Sequence, residues 1–156
     1  MKFVIVRFFN VYGPRLDDLG QGRVLPIFLK QFLHGKPVWV HGTGQQTRTF
    51  IYVTDAVRAL VRLSALKQAE GRVFNIGTQR EITIRKLAQL IKRLGRFRSP
   101  IRRIPYRKVF GPSFEDIPRR VPDTRALERL TGWKPRVSLE EGLQRTIAYY
   151  RQPGEL

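Results

Sequence analysis

The chain has 156 residues, 42% of them hydrophobic, and no cysteine. This composition is typical of one globular domain and excludes disulfides, thiolate nucleophiles and cysteine-based zinc sites. The formal net charge is +18, and the two histidines, His34 and His41, are too few and too scattered to predict a metal site. No apolar run approaches the roughly 20 residues that span a bilayer, and the N-terminal run lacks a signal-peptide cleavage site, so a cytoplasmic location is expected.

The first predicted strand covers residues 3–9, where β-branched and aromatic residues follow one another without alternation. This pattern is typical of a strand that is buried on both faces of a parallel sheet. Asn10 comes directly after it, at the strand end where open α/β sheets bind their ligands. Asn10 is therefore a candidate binding residue, and the alternative is an asparagine that caps its own turn.

A helix is predicted at about residues 23–34, after a loop at 16–22 that is rich in Asp and Gly. The first backbone N–H groups of a helix have no partner within it, and the helix dipole places positive charge there. The start of this helix is therefore a generic anion site. Its expected inward face consists of Val24, Ile27, Phe28, Gln31 and Phe32.

Arg48 is the candidate that the middle of the chain offers for binding an anion. It lies between two predicted strands, Val38–His41 and residues 49–53, which flank a polar turn with two glycines. The planar fork of donors on arginine matches two phosphate oxygens at once. The alternative is a surface hairpin that carries a solvated arginine.

The helix after the second of these strands is expected to begin at Thr54 and Asp55, because both side chains can cap a first turn. Its helical spacing predicts that Val57, Leu60 and Val61 face the core.

The second half of the chain continues the alternation of strand and helix. Strands are predicted at residues 73–77 and 101–106, and helices at 83–95, from 123 and from 138. Asp123 and Ser138 are the expected N-caps of the last two helices, Ser138 as part of an S-x-x-E capping box. Trp133 is expected to pack into the core.

A basic block extends from Arg85 to Lys108 and holds ten of the 30 lysines and arginines, with no acidic residue between Ile82 and Phe114. Such a block can bind nucleic acid or another polyanion by releasing counterions. The alternative is a solvated helix face and loop, which the scarcity of interleaved aromatic residues favours.

The catalytic motifs that a sequence reveals most directly are missing. The chain contains no G-x-S-x-G, no H-E-x-x-H and no P-loop, and Gly42-x-Gly44 lacks the third glycine of a dinucleotide fingerprint.

Four ordered motifs together carry a family resemblance. They are residues 7–15 (RFFNVYGPR), residues 41–55 (HGTGQQTRTFIYVTD), residues 74–77 (FNIG) and an ending in which Pro122-Asp123 precedes Gly132-Trp133-Lys134-Pro135. In this order and at these spacings the chain resembles the extended short-chain dehydrogenase/reductase family, the NAD-dependent nucleotide-sugar epimerases, dehydratases and decarboxylases. The resemblance implies an α/β fold that consists of the C-terminal part of a Rossmann-like parallel sheet plus the small α/β substrate-binding lobe.

The resemblance extends only to the C-terminal half of the family's length. Family members carry a glycine-rich turn for the NAD pyrophosphate and a catalytic Tyr-x-x-x-Lys, and no tyrosine of this chain is followed by lysine at that spacing. The chain is therefore expected to be a single truncated domain, residues 1–156, that retains the substrate-binding half and is catalytically incomplete by itself. No catalytic residue and no metal ligand is assigned.

The resemblance assigns binding roles to nine residues of this chain. The backbone of Phe8 and Phe9 is expected beside the nicotinamide end of NAD. The substrate-binding residues are Asn10 for the sugar or diphosphate, Val24 and Leu25 for the diphosphate, Trp39 and His41 for the base, Arg48 for a phosphate and Asp116 for the ribose. Many members carry a phosphate-binding arginine three positions before that acid, where this chain has Ser113; Arg107, Arg119 and Arg120 are the candidates to replace it.

The expected ligand is a nucleotide sugar, most simply a UDP-sugar, and the family's cofactor is NAD, although this chain without the glycine-rich turn is not expected to hold NAD well alone. Expected partners are a missing N-terminal half or another copy of the chain, joined through an exposed sheet edge. No membrane partner is expected. The alternatives are a basic nucleic-acid-binding module without enzymatic activity, and a gene remnant that folds poorly.

Overall fold

The computed structural model describes residues 1–16, 23–113 and 115–152, and strands and helices alternate through most of them. The strands are β1 Ile5–Phe8, β2 Val11–Tyr12, β3 Val38–His41, β4 Thr47–Thr49, β5 Ile51–Tyr52, β6 Val73–Ile76, β7 Glu81–Thr83, β8 Ile101–Ile104 and β9 Arg119–Arg120. The α-helices are α1 Val24–Leu33, α2 Val53–Ser64, α3 Ile84–Leu94, α4 Tyr106–Phe110, α5 Arg125–Thr131 and α6 Leu139–Tyr150. The predicted acid-rich loop at 16–22 lies, apart from Leu16, outside the described residues.

Parallel strand pairs make up most of the sheet structure. β1 pairs with β6, β2 with β5 and β3 with β8, all in parallel, while β4 lies between an antiparallel β7 and a parallel β9. Parallel neighbours need long crossover connections, and here α2 and α3 lie within two of these connections. The α/β class that the sequence predicts is confirmed.

The apolar residues form two packed clusters. The larger one joins α1, α3 and α6 around Phe28, Leu87 and Leu143, and the smaller one joins α2, β6 and α5 around Phe74 and Trp133. Trp133 is fully buried, as predicted, and its indole N–H donates to the carbonyl of Asp55 at 3.2 Å.

The prediction of one continuous strand at residues 49–53 is wrong. Residues on either side of Phe50 belong to different sheets: β4 pairs with β7 and β9, whereas β5 pairs with β2. The chain therefore passes from one sheet to the other at Phe50. Val53 already belongs to α2. The N-cap residue of this helix is Tyr52, whose side chain makes no capping hydrogen bond.

Asp55 does not cap α2 as predicted. Its side chain is fully buried, and Oδ2 accepts the backbone N–H groups of Arg136 and Val137 at 2.8 and 2.9 Å. The Arg58 guanidinium lies 2.9 Å from Oδ1 without hydrogen-bond alignment. Asp55 therefore fastens the start of α2 to the segment that leads into α6.

The predicted inward face of α2 is also wrong. Val57, Leu60 and Val61 are 52%, 41% and 61% exposed. The buried face consists of Ala56, Ala59 and Leu63, because small side chains allow the helix to lie close to the sheet.

The predicted burial of the first strand on both faces is likewise wrong. Ile5 and Phe8 are 46% and 49% exposed, and among the described residues β1 pairs only with β6. The free edge of β1 and the outer face of α2 are therefore two apolar surfaces that the described residues leave uncovered.

The helix ends agree in part with the sequence. Ser138 Oγ accepts the backbone N–H of Glu141 at 3.1 Å, as the capping box predicts. Asp123 accepts the N–H of Arg125 at 3.0 Å but precedes the actual N-cap, Thr124. The buried residues of α1 are Leu25, Pro26, Phe28, Leu29 and Phe32, so its inward face is rotated from the predicted one.

No helix among the residues that the structure describes has the length and apolar character that a bilayer crossing requires.

Candidate functional site

Two adjoining clefts lie where β1 and β2 end and α1 begins. The first, of about 520 Å³, has mainly apolar walls that include Phe8, Val57 and Leu60, and is called here the apolar cleft. The second, of about 290 Å³, contains the side chains of Gln46, Arg48 and Asp116 and is called the polar cleft. The residues that line both clefts are Asn10, Arg23, Val24 and Arg120. This shared wall carries two exposed arginines.

Asn10 holds the shared wall in place through an unusual backbone conformation. Its φ of 47° lies in the left-handed region, which asparagine tolerates better than most residues. Its side-chain amide donates to the carbonyl of Thr49 at 2.7 Å, and its own carbonyl accepts the N–H of Ile51. Asn10 therefore bonds to the junction of β4 and β5 and not to its own turn.

Arg48 is 9% exposed and is held by three hydrogen bonds. One terminal nitrogen donates to the carbonyls of Thr47 and Ile117, each at 2.8 Å, and the other lies 2.7 Å from Asp116 Oδ1. The arginine and the acid that were assigned separately to phosphate and ribose are thus bound to each other. This ion pair fixes both side chains in the polar cleft before any ligand arrives.

The second oxygen of Asp116 accepts a hydrogen bond from the hydroxyl of Tyr106 on α4. Gln46 Nε2 donates to the same hydroxyl and to the carbonyl of His41. Burial, followed by the neighbouring Asp116 carboxylate, raises the pKa of Tyr106 above its ordinary value, so the phenol stays protonated and donates. The sequence analysis assigned no role to Tyr106 or Gln46. Tyr106 follows the end of β8, and β8 pairs in parallel with β3, which ends at His41. Its position after a strand end was therefore the signal that could have identified it.

Aromatic rings form part of the wall of the polar cleft. The His41 ring centroid lies 6.1 Å from that of Tyr106 and 5.2 Å from that of Phe110, in edge-to-face arrangements. The Arg102 guanidinium lies 5.9 Å from the ring of Trp39. Burial lowers the pKa of His41, against the opposing effect of the Asp116 carboxylate, so the neutral imidazole is favoured.

This lowered pKa predicts that acid destabilises the fold through His41. Below the ordinary value of about 6.5 the unfolded chain takes up the proton more readily, so the stabilisation is present above that pH and is lost as pH falls toward the pKa of the folded state. We expect the melting temperature of the wild-type chain to fall more between about pH 7 and about pH 5 than that of His41→Asn. His34→Asn is the matched control and should keep the wild-type slope; equal slopes for all three chains would contradict the prediction.

The structure brings most of the predicted binding residues to these two clefts. Asn10, Val24, Trp39, His41, Arg48 and Asp116 line the polar cleft, and Phe8 and Leu25 line the apolar one. Phe9 is not among the lining residues, and its backbone N–H donates to the carbonyl of Ile76 at 3.0 Å.

Arg120 is the only one of the three candidate replacement arginines that lines a cleft. Arg119, its neighbour on β9, points to Glu81 and lies 2.8 Å from that carboxylate. Arg107 is exposed on α4 and, among the described residues, lines neither cleft.

No group of three His, Cys, Asp or Glu side chains within the described ranges is placed to hold a metal ion. Nine of the ten basic residues between Arg85 and Lys108 are exposed, and the tenth, Lys92, is partly buried.

A sequence profile of the NAD dependent epimerase/dehydratase family matches residues 1–77. Among characterised proteins, the UDP-N-acetyl-alpha-D-glucosaminuronate decarboxylase of Bacillus cytotoxicus is 41% identical over 152 residues, which cover 97% of this chain and 47% of the relative. The UDP-glucuronic acid decarboxylase 1 of Danio rerio is 42% identical over 147 residues, 94% of this chain and 33% of the relative. The chain thus spans about half or less of the length of these relatives.

Two solved structures also match nearly all of this chain and about half of their own length. The UDP-glucose 4-epimerase of Thermotoga maritima, determined with UDP-glucose, is 36% identical with a TM-score of 0.85, and the alignment covers 97% of this chain and 46% of that one. The UDP-glucose 4-epimerase of Thermus thermophilus, in complex with NAD, is 29% identical with a TM-score of 0.81 and covers 98% and 48%.

Proposed function

This chain belongs to the NAD-dependent epimerase/dehydratase family, the extended short-chain dehydrogenases/reductases, and we propose that it forms the nucleotide-sugar-binding part of such an enzyme. The observation that carries the proposal is the pair of adjoining clefts that share Arg23 and Arg120. A nucleotide sugar has two dissimilar ends joined by a diphosphate, and the site has two dissimilar clefts joined by a basic wall. UDP-sugars bound by several structural relatives support this ligand class.

The diphosphate is proposed to lie at the shared wall. Arg23 and Arg120 provide two exposed guanidinium groups there, which match the two negative charges of a diphosphate ester. Val24 and Leu25 open α1, whose first turn contains no acidic residue and whose N-cap makes no side-chain bond, so their N–H groups can donate to the same oxygens. Many family members have a phosphate-binding arginine where this chain has Ser113. Arg120 is proposed to take over the role of that arginine.

The nucleoside is proposed to occupy the polar cleft. The ion pair between Arg48 and Asp116 holds a cation within reach of the phosphates and a carboxylate within reach of the ribose hydroxyls. Because both side chains are already fixed, little side-chain entropy is lost when a nucleotide binds. Trp39 and His41 line the same cleft and are proposed to lie beside the base.

The sugar and the nicotinamide end of NAD are proposed to meet in the apolar cleft. Phe8, Val53 and Ala56 are walls of a kind that suits a flat, weakly polar ring. Bound NAD supplies the hydride acceptor of the family's chemistry. The residues of this chain fit only that end of the dinucleotide, because no glycine-rich turn is available for its pyrophosphate. We therefore propose that these 156 residues bind the nucleotide sugar without converting it.

The uncovered surface of β1 and α2 is proposed to bind the polypeptide equivalent of the half of its relatives that this chain does not span. Leu60 and Phe8 line the apolar cleft together, and Leu60 also lines a groove with Phe3 and Val6, so the apolar surface is continuous. At low salt a second copy is a poor occupant, since each copy carries a net charge of +18 and the two would repel.

This surface predicts salt-promoted self-association of the isolated chain. Salt screens the repulsion between positively charged copies but leaves the apolar contact intact. We expect light scattering to detect open-ended aggregates that grow with salt, and Leu60→Asp to suppress them. Val109→Asp is the matched control, because Val109 is also 41% exposed but lies on α4. A discrete dimer that Leu60→Asp dissociates would instead identify a second copy as the occupant.

A calorimetric titration of UDP into the folded chain at moderate salt tests the proposed function. Saturable one-to-one binding is the expected result. A folded chain that gives no heat would contradict a preformed nucleotide site. Affinity for an oligonucleotide that falls steeply with salt, in the absence of UDP binding, would favour the exposed basic block and a nucleic-acid-binding module instead.

A further inference from the structure

We propose that the basic block binds the phosphate backbone of double-stranded DNA, through one face of α3 and the turn that follows this helix. This basic face consists of Arg85, Lys86, Lys92 and Arg93. The ten lysines and arginines between residues 85 and 108 all belong to the described part of the chain, and none of them lines the apolar or the polar cleft. The proposal is therefore independent of the nucleotide-sugar site and adds a second binding surface.

The four residues of the basic face lie on one side of α3. At about 100° per residue they fall within about a third of the helix circumference, and from Arg85 to Arg93 they extend about 12 Å along the axis. The exposed residue between them is Gln89, and the buried residues of the helix are Ile84, Leu87, Ala88, Leu90 and Ile91. Duplex DNA carries one negative charge per about 1.7 Å of its axis, so this strip is long enough to meet several phosphates.

Two residues of the basic face oppose the stability of their own helix. Arg85 and Lys86 lie in the first turn of α3, which contains no acidic residue, and the helix dipole is positive there. The N-cap, Thr83, accepts the backbone N–H of Lys86 at 3.2 Å, so a glutamate at position 86 would complete a capping box. An anionic partner would turn this unfavourable positive charge into a favourable contact.

The turn after α3 adds two further arginines, Arg96 and Arg98, both exposed. Arg96 has a φ of 50°, in the left-handed region that favours glycine and asparagine. Between them, the ring of Phe97 stacks on Phe32 with 5.0 Å between the ring centroids, and Lys92 Nζ donates to the carbonyl of Arg98 at 3.5 Å. The turn therefore holds both arginines in fixed positions at the C-terminal end of the basic face.

The described residues do not neutralise the charge of the basic block. None of its lysines and arginines forms an ion pair with an acidic side chain in the described part of the chain. Outside the block, by contrast, Arg119, Arg125 and Arg145 each lie within 2.8 Å of a carboxylate. The positive charge of the block is therefore available to an external polyanion.

The chemistry of this surface fits a DNA duplex better than other polyanions. Seven of the ten basic residues are arginines, whose planar donors match phosphate oxygens. Single strands stack their bases on exposed aromatic rings, and α3 and β8 contain no aromatic residue. A bilayer surface takes up exposed apolar side chains, and no large hydrophobic residue of α3 or β8 is exposed. The wide major groove of B-form DNA admits a helix, whereas that of duplex RNA is narrow.

Lys86→Glu separates DNA binding from folding, because it should weaken the first and strengthen the second. Fluorescence anisotropy measures binding of a short DNA duplex to the full chain at several salt concentrations. For about four phosphate contacts, the affinity of the wild type should fall more than about a hundredfold between about 50 and about 200 mM salt. In Lys86→Glu the slope of log affinity against log salt should become shallower by at least about 1, while the melting temperature rises.

The matched control is Arg129→Glu, which makes the same change of charge at an exposed position on α5 and should keep the wild-type slope. Equal loss of DNA affinity in both glutamate variants would overturn the assignment to the basic face, and so would an unchanged slope in Lys86→Glu. Duplex RNA, polyglutamate or phosphatidylglycerol vesicles that bound the wild type as tightly as DNA would overturn the choice of partner.

Titration of the same chains with UDP keeps the two proposals apart. Lys86→Glu should bind UDP with the wild-type affinity, because Lys86 lines neither cleft. A chain that bound UDP but not DNA would overturn only the DNA-binding proposal. A chain that bound DNA but not UDP would support it and contradict the proposed function.

Discussion

Arg48→Ala is expected to lower the affinity for UDP by about tenfold to a hundredfold, the equivalent of about 1.5–3 kcal/mol for a lost charge-assisted contact. The loss has two sources. The phosphates lose a donor, and Asp116 loses the cation 2.7 Å from it, so a carboxylate without its counterion is left beside the negatively charged ligand. Calorimetric titration measures the affinity directly, and the rise in melting temperature with UDP should shrink in proportion.

Two further variants test whether the effect of Arg48→Ala comes from the guanidinium group and from its place in the polar cleft. Arg48→Lys keeps the charge but not the planar fork, so its affinity for UDP should lie between those of the wild type and Arg48→Ala. Arg119→Ala removes an arginine from β9, the strand beside β4, that lies outside both clefts and binds Glu81. This control should bind UDP as the wild type does. A folded Arg48→Ala chain with unchanged affinity would contradict the phosphate role of Arg48.

Asp55→Ala is expected to destabilise the fold by about 3–5 kcal/mol, the range for removing one partner of a buried charge pair. The side chain is fully buried, and its loss leaves the N–H groups of Arg136 and Val137 without their acceptor. Arg58 loses its counterion at the same time. This is a large part of the free energy of unfolding of a domain of this size, so urea denaturation or thermal melting should reveal it clearly.

The control for Asp55 is Asp123→Ala. Asp123 is exposed and paired with Arg125 at 2.6 Å, and it should contribute little because solvent screens surface ion pairs. Asp55 lines neither cleft, so the folded fraction of Asp55→Ala should bind UDP with the wild-type affinity at low temperature. A melting temperature equal to that of the wild type would contradict the assigned fastening role.

Local signals in the sequence determined the class of the fold and most of its elements. Apolar runs without alternation predicted parallel strands, and glycines and hydroxyl caps marked helix ends, as at Ser138 and Trp133's neighbour Gly132. The position of Asn10 after the first strand indicated the site, because strand ends in a parallel sheet converge whatever the rest of the fold does. Arg48 was expected between two strands, whereas it lies at the centre of β4. Ordered motifs identified the family for the same reason: they are contiguous in the sequence.

Only the tertiary structure decided which apolar residues are buried in the core and which charged residues bind to distant parts of the chain. Val57, Leu60 and Val61 have the spacing of a buried face, but burial depends on what lies opposite, and the sheet lies opposite the alanines of α2. Asp55 looked like a cap because capping is local, whereas its partners are more than 80 residues away in the sequence. The bond between Arg48 and Asp116, the position of Tyr106 and the choice of Arg120 over Arg119 likewise depend on contacts between distant segments, which no local pattern encodes.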